Sequence, residues 1–118
     1  MSSRFMHSTR DHKFILKEWL DLGQVLATER FAGGYTVDDM DFILDNALKG
    51  AREVIAPTCE DSDKIGCRYD NDKVITPPST GEAYYFIQNN GLCTSNYDPH
   101  DSSAVPLCVL WSWLEYII

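Results

Sequence analysis

Apolar residues recur at helical spacing over most of the chain, and the repeat is most regular after Thr36. Thr36 and Asp39 are three positions apart, as in a capping box with a short acid, so a helix should begin at Val37. Its apolar positions hold a period of about 3.6 residues, as an amphipathic helix requires. They are Met40, Phe42, Ile43, Ala47, Leu48, Ala51, Val54 and Ile55.

Pro57 complicates the end of this helix, because proline lacks the N–H that a helix interior needs. The helix should therefore stop near Ile55 or continue with a kink to Asp63. Gly66 marks its latest expected end.

The pattern before residue 35 predicts a shorter amphipathic helix, with Asp11 as its N-cap. Its expected apolar face comprises Phe14, Ile15, Trp19 and Leu22. Its expected polar face comprises Lys13, Lys17, Glu18 and Asp21. Gly23 interrupts the pattern, so a second short helix or a bent continuation should follow, ending before the turn at Gly33 and Gly34.

The second half alternates turn signals with two further helical stretches. Residues 68–78 predict a turn or a small hairpin-like excursion that ends at prolines, and not a sheet. A helix capped by Ser79 or Thr80 should then run over residues 81–90, with Gly91 at the C′ position. Its expected apolar face comprises Ala83, Tyr84, Phe86 and Ile87. The last helix, with Ser103 as candidate cap and Pro106 in its first turn, is apolar on almost every side and has to bury that surface.

These elements predict an all-α fold with a short Pro-bounded extended excursion. We expect an N-terminal helical arm over residues 1–35 and a helical domain over residues 36–118. The last helix reaches the final residue without a stop signal, so we expect that domain to be incomplete at its C-terminus.

Composition and charge narrow the class of protein. The 118 residues carry 10 Lys and Arg against 18 Asp and Glu, a formal net charge of −8. Such a chain repels phosphate backbones and anionic lipid surfaces, which disfavours nucleic-acid and membrane-surface roles. The uncharged, mostly apolar stretch of residues 102–114 is shorter than the ~20 apolar residues of a membrane span. No signal-peptide core follows Met1, and the four cysteines have no Cys-x-x-Cys spacing, so we expect reduced thiols in the cytoplasm.

Candidate chemical sites are weak. Residues 61–72 imitate a calcium loop, but Ile65 stands where an oxygen ligand belongs and Asp72 replaces the bidentate Glu. Gly33 and Gly34 lack the context of a phosphate cradle. His7, His12 and His100 are far apart and are expected at the surface or in loops.

Aromatic and acidic side chains do not define a site either. Aromatic residues at helical spacing are expected to fill the core or an interface; they are Tyr84, Tyr85, Trp111 and Trp113. Glu53, Glu60 and Glu115 would act as acids or bases only in a dry pocket. The sequence therefore assigns no catalytic, cofactor-binding or metal-binding residue.

Several blocks in a fixed order nevertheless resemble the N-terminal helical domain of acyl-CoA dehydrogenases. They are the helix of residues 42–55, Ala56-Pro57, the Asp-x-x-Gly of residues 63–66, the Val-x-x-Pro-Pro of residues 74–78, Ala83-Tyr84 and Asn90-Gly91. Residues 11–32 are similar to the extra N-terminal segment of the larger subgroup that includes 3-methylmercaptopropionyl-CoA dehydrogenases. After Gly91 the chain departs from the family pattern, with Leu92 in place of the usual aromatic.

The resemblance implies a flavoprotein that removes hydrogens from the α and β carbons of an acyl-CoA and uses FAD, with an electron-transfer flavoprotein as partner. In the family the catalytic glutamate and the flavin-binding residues lie beyond the position of Ile118. We therefore expect a truncated fragment, inactive alone and without FAD, whose partner is the remainder of the enzyme or a second copy bound through the last helix. The alternative is a stand-alone helical module that docks on a partner through that helix.

Overall fold

The structure is a computed structural model that describes residues 6–92, His100 and residues 104–117. The described part is mostly helical and includes a two-stranded hairpin, which confirms the all-α expectation. In chain order the elements are α1 (Arg10–Phe14), a π-helical turn (Ile15–Trp19), α2 (Leu22–Leu26), α3 (Val37–Gly50), a second π-helical turn (Ala51–Ile55), α4 (Ala56–Ile65), β1 (Arg68–Asp70), β2 (Lys73–Ile75), α5 (Pro78–Asn89) and α6 (Leu107–Ile117).

The capping box at the start of α3 is present. The Asp39 N–H donates to Thr36 Oγ1 at 3.2 Å, and the Thr36 N–H donates to Asp39 Oδ2 at 2.7 Å. Each side chain thus satisfies a backbone donor that has no partner within the helix. The pKa of Asp39 is held below its usual value by these bonds, first by the Thr36 N–H and then by its hydroxyl.

The long helix continues past Pro57. Immediately before it, the second π-helical turn moves the hydrogen-bond register, and the Ala56 N–H bonds to Ala51 O. Such a turn inserts extra backbone into a helix, which accommodates the ring and the missing N–H of the proline. The helix then runs to Ile65 and ends at Gly66, whose φ is 63°. Of the two predicted outcomes at Pro57, continuation is the one observed.

The proline-bounded excursion is an antiparallel hairpin whose two strands form a small sheet, so the expectation that no sheet forms here is wrong. Arg68 pairs with Ile75 and Asp70 with Lys73. Asn71 and Asp72 between them have φ of 48° and 59°, the left-handed values that a two-residue hairpin turn needs. The hairpin leads directly into α5.

Helix α5 begins three residues earlier than predicted, at Pro78, and neither Ser79 nor Thr80 is its cap. Pro78 occupies the first helical position, where the absent N–H costs no hydrogen bond. At the other end, the Gly91 N–H bonds to Gln88 O at 3.2 Å and the Leu92 N–H bonds to Ile87 O at 3.0 Å. With Gly91 at φ 66°, these bonds form a Schellman motif and confirm Gly91 as the C′ residue.

One apolar core joins α2, α3, α6 and the intervening turns. Its buried members are Leu16, Leu22, Leu26, Met40, Leu44, Ala47, Ala51, Leu92, Val105, Val109, Trp113 and Tyr116. The last helix covers its apolar side mainly against α3 of the same chain. Its predicted cap, Ser103, lies outside the described residues, and Pro106 is fully buried just before the first turn. On α3, Phe42 was expected inward but is 72% exposed, and Leu44 is buried instead.

The predicted faces of the first helix are correct only in part: Leu22 is buried, and the residues of the predicted polar face are exposed or half-buried, but most of the predicted apolar face is wrong. The helix begins after Thr9, not Asp11, and Phe14, Ile15 and Trp19 point to solvent while Leu16 is buried. For Trp19 the reason is the π-helical turn after Phe14, which rotates the following residues away from the 3.6-residue phase. The inward side is therefore largely polar.

Two expectations from composition can be compared with the described residues. None of their helices is long and apolar enough to cross a membrane. Cys59, Cys67 and Cys108 are free thiols, and Cys93 lies outside the described range.

Candidate functional site

The described residues contain a three-residue polar cluster that joins the first helix, α1, to the last helix, α6. His12 on α1 lies between Glu115 and Tyr116 on α6. His12 Nε2 is 2.8 Å from Glu115 Oε2, and His12 Nδ1 is 2.7 Å from Tyr116 Oη. The rings of His12 and Tyr116 meet edge to face with centroids 5.0 Å apart. A histidine that was expected at the surface is thus the centre of an inter-helix contact.

The chemistry of the partners determines the proton positions in the cluster. An ionised carboxylate only accepts hydrogen bonds, so His12 Nε2 must donate to Glu115. In a neutral imidazole the other nitrogen is then an acceptor, and Tyr116 Oη donates its hydrogen to Nδ1. Every polar atom of the contact between the ring and α6 therefore has a complementary partner.

Tyr116 is held in its neutral form. Its side chain lies in the core with 3% exposure. Burial, followed by the negative charges of Glu115 and Asp45, raises the pKa of Tyr116 to about 12. A phenol with this pKa is a hydrogen-bond donor at neutral pH and not a general base.

A shallow cleft lies beside the cluster, with a volume of about 330 Å³. It is lined by Met6, His7, Ser8, Asp11, His12, Ile15 and Glu115. Its carboxylates repel anionic groups, which is unfavourable for a phosphate or a CoA pyrophosphate. Because both nitrogens of His12 are engaged within the protein, the cluster as described fastens two helices together and leaves His12 no lone pair for a substrate.

Salt bridges continue the contact between the N-terminal segment and α3. Lys13 Nζ lies 2.7 and 2.8 Å from the two carboxylate oxygens of Asp45, and Thr9 Oγ1 donates to the same group at 3.1 Å. Lys17 pairs with Asp41, a contact that raises the pKa of Lys17. These lysines were predicted on the solvent face, and their actual partners are the acidic residues on one side of α3.

The calcium-like loop does not come together. Asp61 and Asp63 lie on α4, whereas Asp72 lies in the hairpin turn, where Tyr69 Oη donates to it at 2.8 Å. Among the residues that the structure describes, no group of three His, Cys, Asp or Glu side chains is arranged to hold a metal ion.

The remaining candidates also have ordinary structural explanations. Glu60 pairs with Lys64 at 2.6 Å, which lowers the pKa of Glu60, the opposite of what a general acid requires. Glu53 is exposed on the second π-helical turn. Gly33 has a φ of 80° in a turn before α3, as expected.

One of the four aromatic residues that were expected in the core or in an interface lies in the core. Trp113 is buried, and its indole Nε1 donates to Leu92 O at 3.3 Å. Tyr84, Tyr85 and Trp111 are 57%, 61% and 65% exposed. These three rings therefore lie outside the core of this chain, and their place in an interface stays a prediction. On α5 it is Ala83, Phe86 and Ile87 that turn inward.

Comparison with known proteins supplies a relationship that the cluster alone does not. The chain is 33% identical over 106 residues to a butyryl-CoA dehydrogenase of Syntrophomonas wolfei subsp. wolfei, covering 87% of this chain and 17% of that protein. A second butyryl-CoA dehydrogenase of the same organism is 35% identical over 85 residues, covering 70% of this chain and 14% of that protein. The chain is related to the acyl-CoA dehydrogenase family.

This relationship extends over a small part of the relatives, since the chain spans about one-sixth of the length of the curated proteins it matches. No family model matches the chain. No solved structure matches it significantly.

Several of the sequence blocks that resemble acyl-CoA dehydrogenases lie where helices of this fold begin, end or change their hydrogen-bond register. Ala56-Pro57 directly follows the second π-helical turn, and Gly66 ends α4. Pro77-Pro78 starts α5, and Asn90-Gly91 ends it. These positions carry backbone conformations that few residue types allow, which explains why they stand out in the sequence.

Sequence analysis did not predict the cluster of His12, Glu115 and Tyr116, because no local sequence pattern indicates it. His12 is separated from its two partners by more than 100 residues. The one available signal was Glu115, the single charged residue in the last twelve positions.

Proposed function

We propose that this chain forms part of the N-terminal helical domain of an acyl-CoA dehydrogenase-like flavoprotein. The observation that carries the proposal is the 33% identity over 106 residues to a butyryl-CoA dehydrogenase, which spans 87% of this chain. In the complete protein, FAD would accept the hydride that leaves the β carbon of an acyl-CoA. Residues 36–118 would supply the domain, and residues 1–35 the arm of the larger subgroup.

We further propose that the chain alone is not a dehydrogenase. The described residues do not fit FAD: the cleft beside His12 has no lysine or arginine in its lining and carries the carboxylates of Asp11 and Glu115, and Gly33 and Gly34 precede a helix without the strand of a dinucleotide-binding motif. The pKa values of Asp39 and Glu60 are lowered by their hydrogen-bond partners, the opposite of what a base for α-proton removal requires. The role of the chain is therefore structural, with the remainder of the enzyme as its partner and acyl-CoA and an electron-transfer flavoprotein as partners of the complete protein.

The inactivity of the isolated chain is directly measurable. The purified 118-residue chain is mixed with FAD, separated from free flavin by gel filtration, and assayed for ferrocenium-dependent oxidation of butyryl-CoA. We expect no visible flavin absorbance in the protein peak and no turnover. Retained flavin together with turnover would overturn the claim of inactivity without touching the family relationship.

A second candidate function is a helical interaction module, and one observation favours it. Leu107 and Trp111, one turn apart on α6, are 56% and 65% exposed although the opposite side of that helix is packed in the core. A partner groove or a second copy of the chain would cover this pair. Light scattering on the wild type and on Trp111→Glu tests self-association, with the exposed Trp19→Glu as the matched control. A dimer that only Trp111→Glu disrupts would support the module.

A further inference from the structure

Within the N-terminal arm, the segment of residues 9–20 is attached in an unusual way. Its inward side is mostly polar, and its outward side carries exposed Phe14 and Trp19. Leu16 is the one buried residue of this segment. Burial of apolar surface therefore contributes less to holding this segment against the core than it does for an ordinary amphipathic helix.

Polar contacts hold this segment to two different helices, and on α3 they include the pair of Lys17 and Asp41. On α3, Asp45 accepts hydrogen bonds from Lys13 and Thr9. On α6, Tyr116 and Glu115 engage the two ring nitrogens of His12. Both Asp45 and Glu115 are more than half exposed, so water and salt compete for these contacts.

The segment of residues 9–20 ends at a sharp change in backbone direction. Asp21, which follows Leu20, has a φ of 48°, in the left-handed region that non-glycine residues seldom adopt. Its carboxylate stabilises this turn by accepting from the side chain of Gln24 at 2.8 Å. Immediately after it, Leu22 is 2% exposed and Leu26 is 7% exposed in the core. The chain thus passes from a polar attachment to an apolar anchor within two residues.

We infer that residues 9–20 form a hinged strap that opens about Asp21 as a unit, while α2, α3 and α6 remain folded. Opening breaks the contacts at Asp45 and Asp41 and those of His12, and it uncovers Leu16 and Tyr116. A strap of this length does not keep its helical hydrogen bonds once detached, because isolated helices shorter than about 12–15 residues are marginal in water. The inference concerns this chain alone and is independent of the flavoprotein assignment.

Hydrogen exchange measures such opening through the backbone amides that the strap protects. Two of them are the Lys13 amide, which bonds to Thr9 O at 2.9 Å, and the Leu20 amide, which bonds to Ile15 O at 2.8 Å. We expect these amides to exchange faster than those of Leu44 and Ala47 on α3, which open only with the whole core. Raising the salt concentration should speed exchange in the strap and leave α3 unchanged.

Asp45→Ala is the decisive variant. It removes the acceptor for Lys13 and Thr9, so strap amides should exchange about three- to tenfold faster. Alanine is also the better helix former, so the protection of α3 should stay equal or rise. Asn46→Ala, at the next exposed position of α3, makes the same kind of propensity change outside the contact and should leave strap exchange unchanged.

Tyr116→Phe supplies a second variant on the other helix. It retains the buried ring and removes the hydroxyl that donates to His12 Nδ1, so strap amides should again exchange faster than α3 amides. Two results would overturn the inference. One is exchange of strap and α3 amides at a common rate in the wild type. The other is the same strap exchange rate in Asp45→Ala as in Asn46→Ala.

Discussion

The aromatic ring of Phe86 lies directly against the backbone of Gly50. A Cβ placed on Gly50 would be 1.9 Å from Phe86 Cζ, far inside van der Waals contact. Gly50 is the last residue of α3 and Phe86 lies in the middle of α5, so the contact lets these helices approach closely. The glycine is required here by space, since its φ is an ordinary helical −65°.

We predict that Gly50→Ala destabilises the protein by about 1–3 kcal/mol, the usual cost of an overpacked contact. Phe86 is half-buried and has to move, because the added methyl group occupies the position of its ring. Urea unfolding followed by circular dichroism measures the change.

Gly81 provides the matched control for this substitution. It lies within α5, and a Cβ there would meet nothing within 4 Å. Gly81→Ala should therefore stabilise the protein by up to about 1 kcal/mol through helix propensity. Equal effects at the two glycines would show that Phe86 does not pack against Gly50. Combining Gly50→Ala with Phe86→Leu should recover part of the loss.

The capping box of Thr36 and Asp39 leads to a second prediction. Thr36→Ala removes the acceptor for the Asp39 N–H and should cost about 1 kcal/mol in the free energy of unfolding. Thr76→Ala, at an exposed position before α5, serves as control and should change stability little. A loss at Thr76 as large as that at Thr36 would contradict a specific role for the cap.

The pH dependence of stability offers a third prediction, at Tyr116. Its pKa rises from 10.0 to about 12 on folding, so the folded protein binds this proton more tightly than the unfolded chain does. The resulting stability is fully present below pH 10 and is lost as pH rises towards pH 12. Tyr116→Phe should be less stable at neutral pH and should lose less stability than the wild type over this interval.

Urea unfolding at a series of alkaline pH values measures this difference. Tyr84→Phe is the control, because Tyr84 is 57% exposed and should behave as the wild type does. An alkaline stability profile of Tyr116→Phe that is parallel to the wild type would contradict the buried, neutral state of Tyr116.

The sequence predicted well those features in which the residues that form a structure lie only a few positions apart in the chain. The capping box joins Thr36 to Asp39, and the Schellman motif joins Ile87 to Leu92. In both, the residue types suit a local backbone geometry, whatever the rest of the chain does. Length and period likewise identified the long helix that follows Thr36.

The failures have a different physical origin. The π-helical turn at Ile15–Trp19 changes the angular phase of the first helix, so a constant 3.6-residue repeat placed Trp19 inward although it is exposed. The cluster around His12 depends on tertiary contact with α6, which carries its partners about 100 positions further along the chain. No local rule contains either kind of information.

The family relationship predicts that this chain can replace its counterpart in a complete enzyme. The segment of the Syntrophomonas wolfei butyryl-CoA dehydrogenase that aligns with this chain over 106 residues is exchanged for the matching residues of this chain. The purified chimera is then assayed for butyryl-CoA dehydrogenation beside the parent enzyme and beside a chimera that carries an unrelated helical segment of equal length. We predict a folded chimera that retains measurable butyryl-CoA dehydrogenase activity, and an inactive control. A chimera as well folded as the parent but no more active than the control would contradict the assignment of this chain to the helical domain of an acyl-CoA dehydrogenase-like protein.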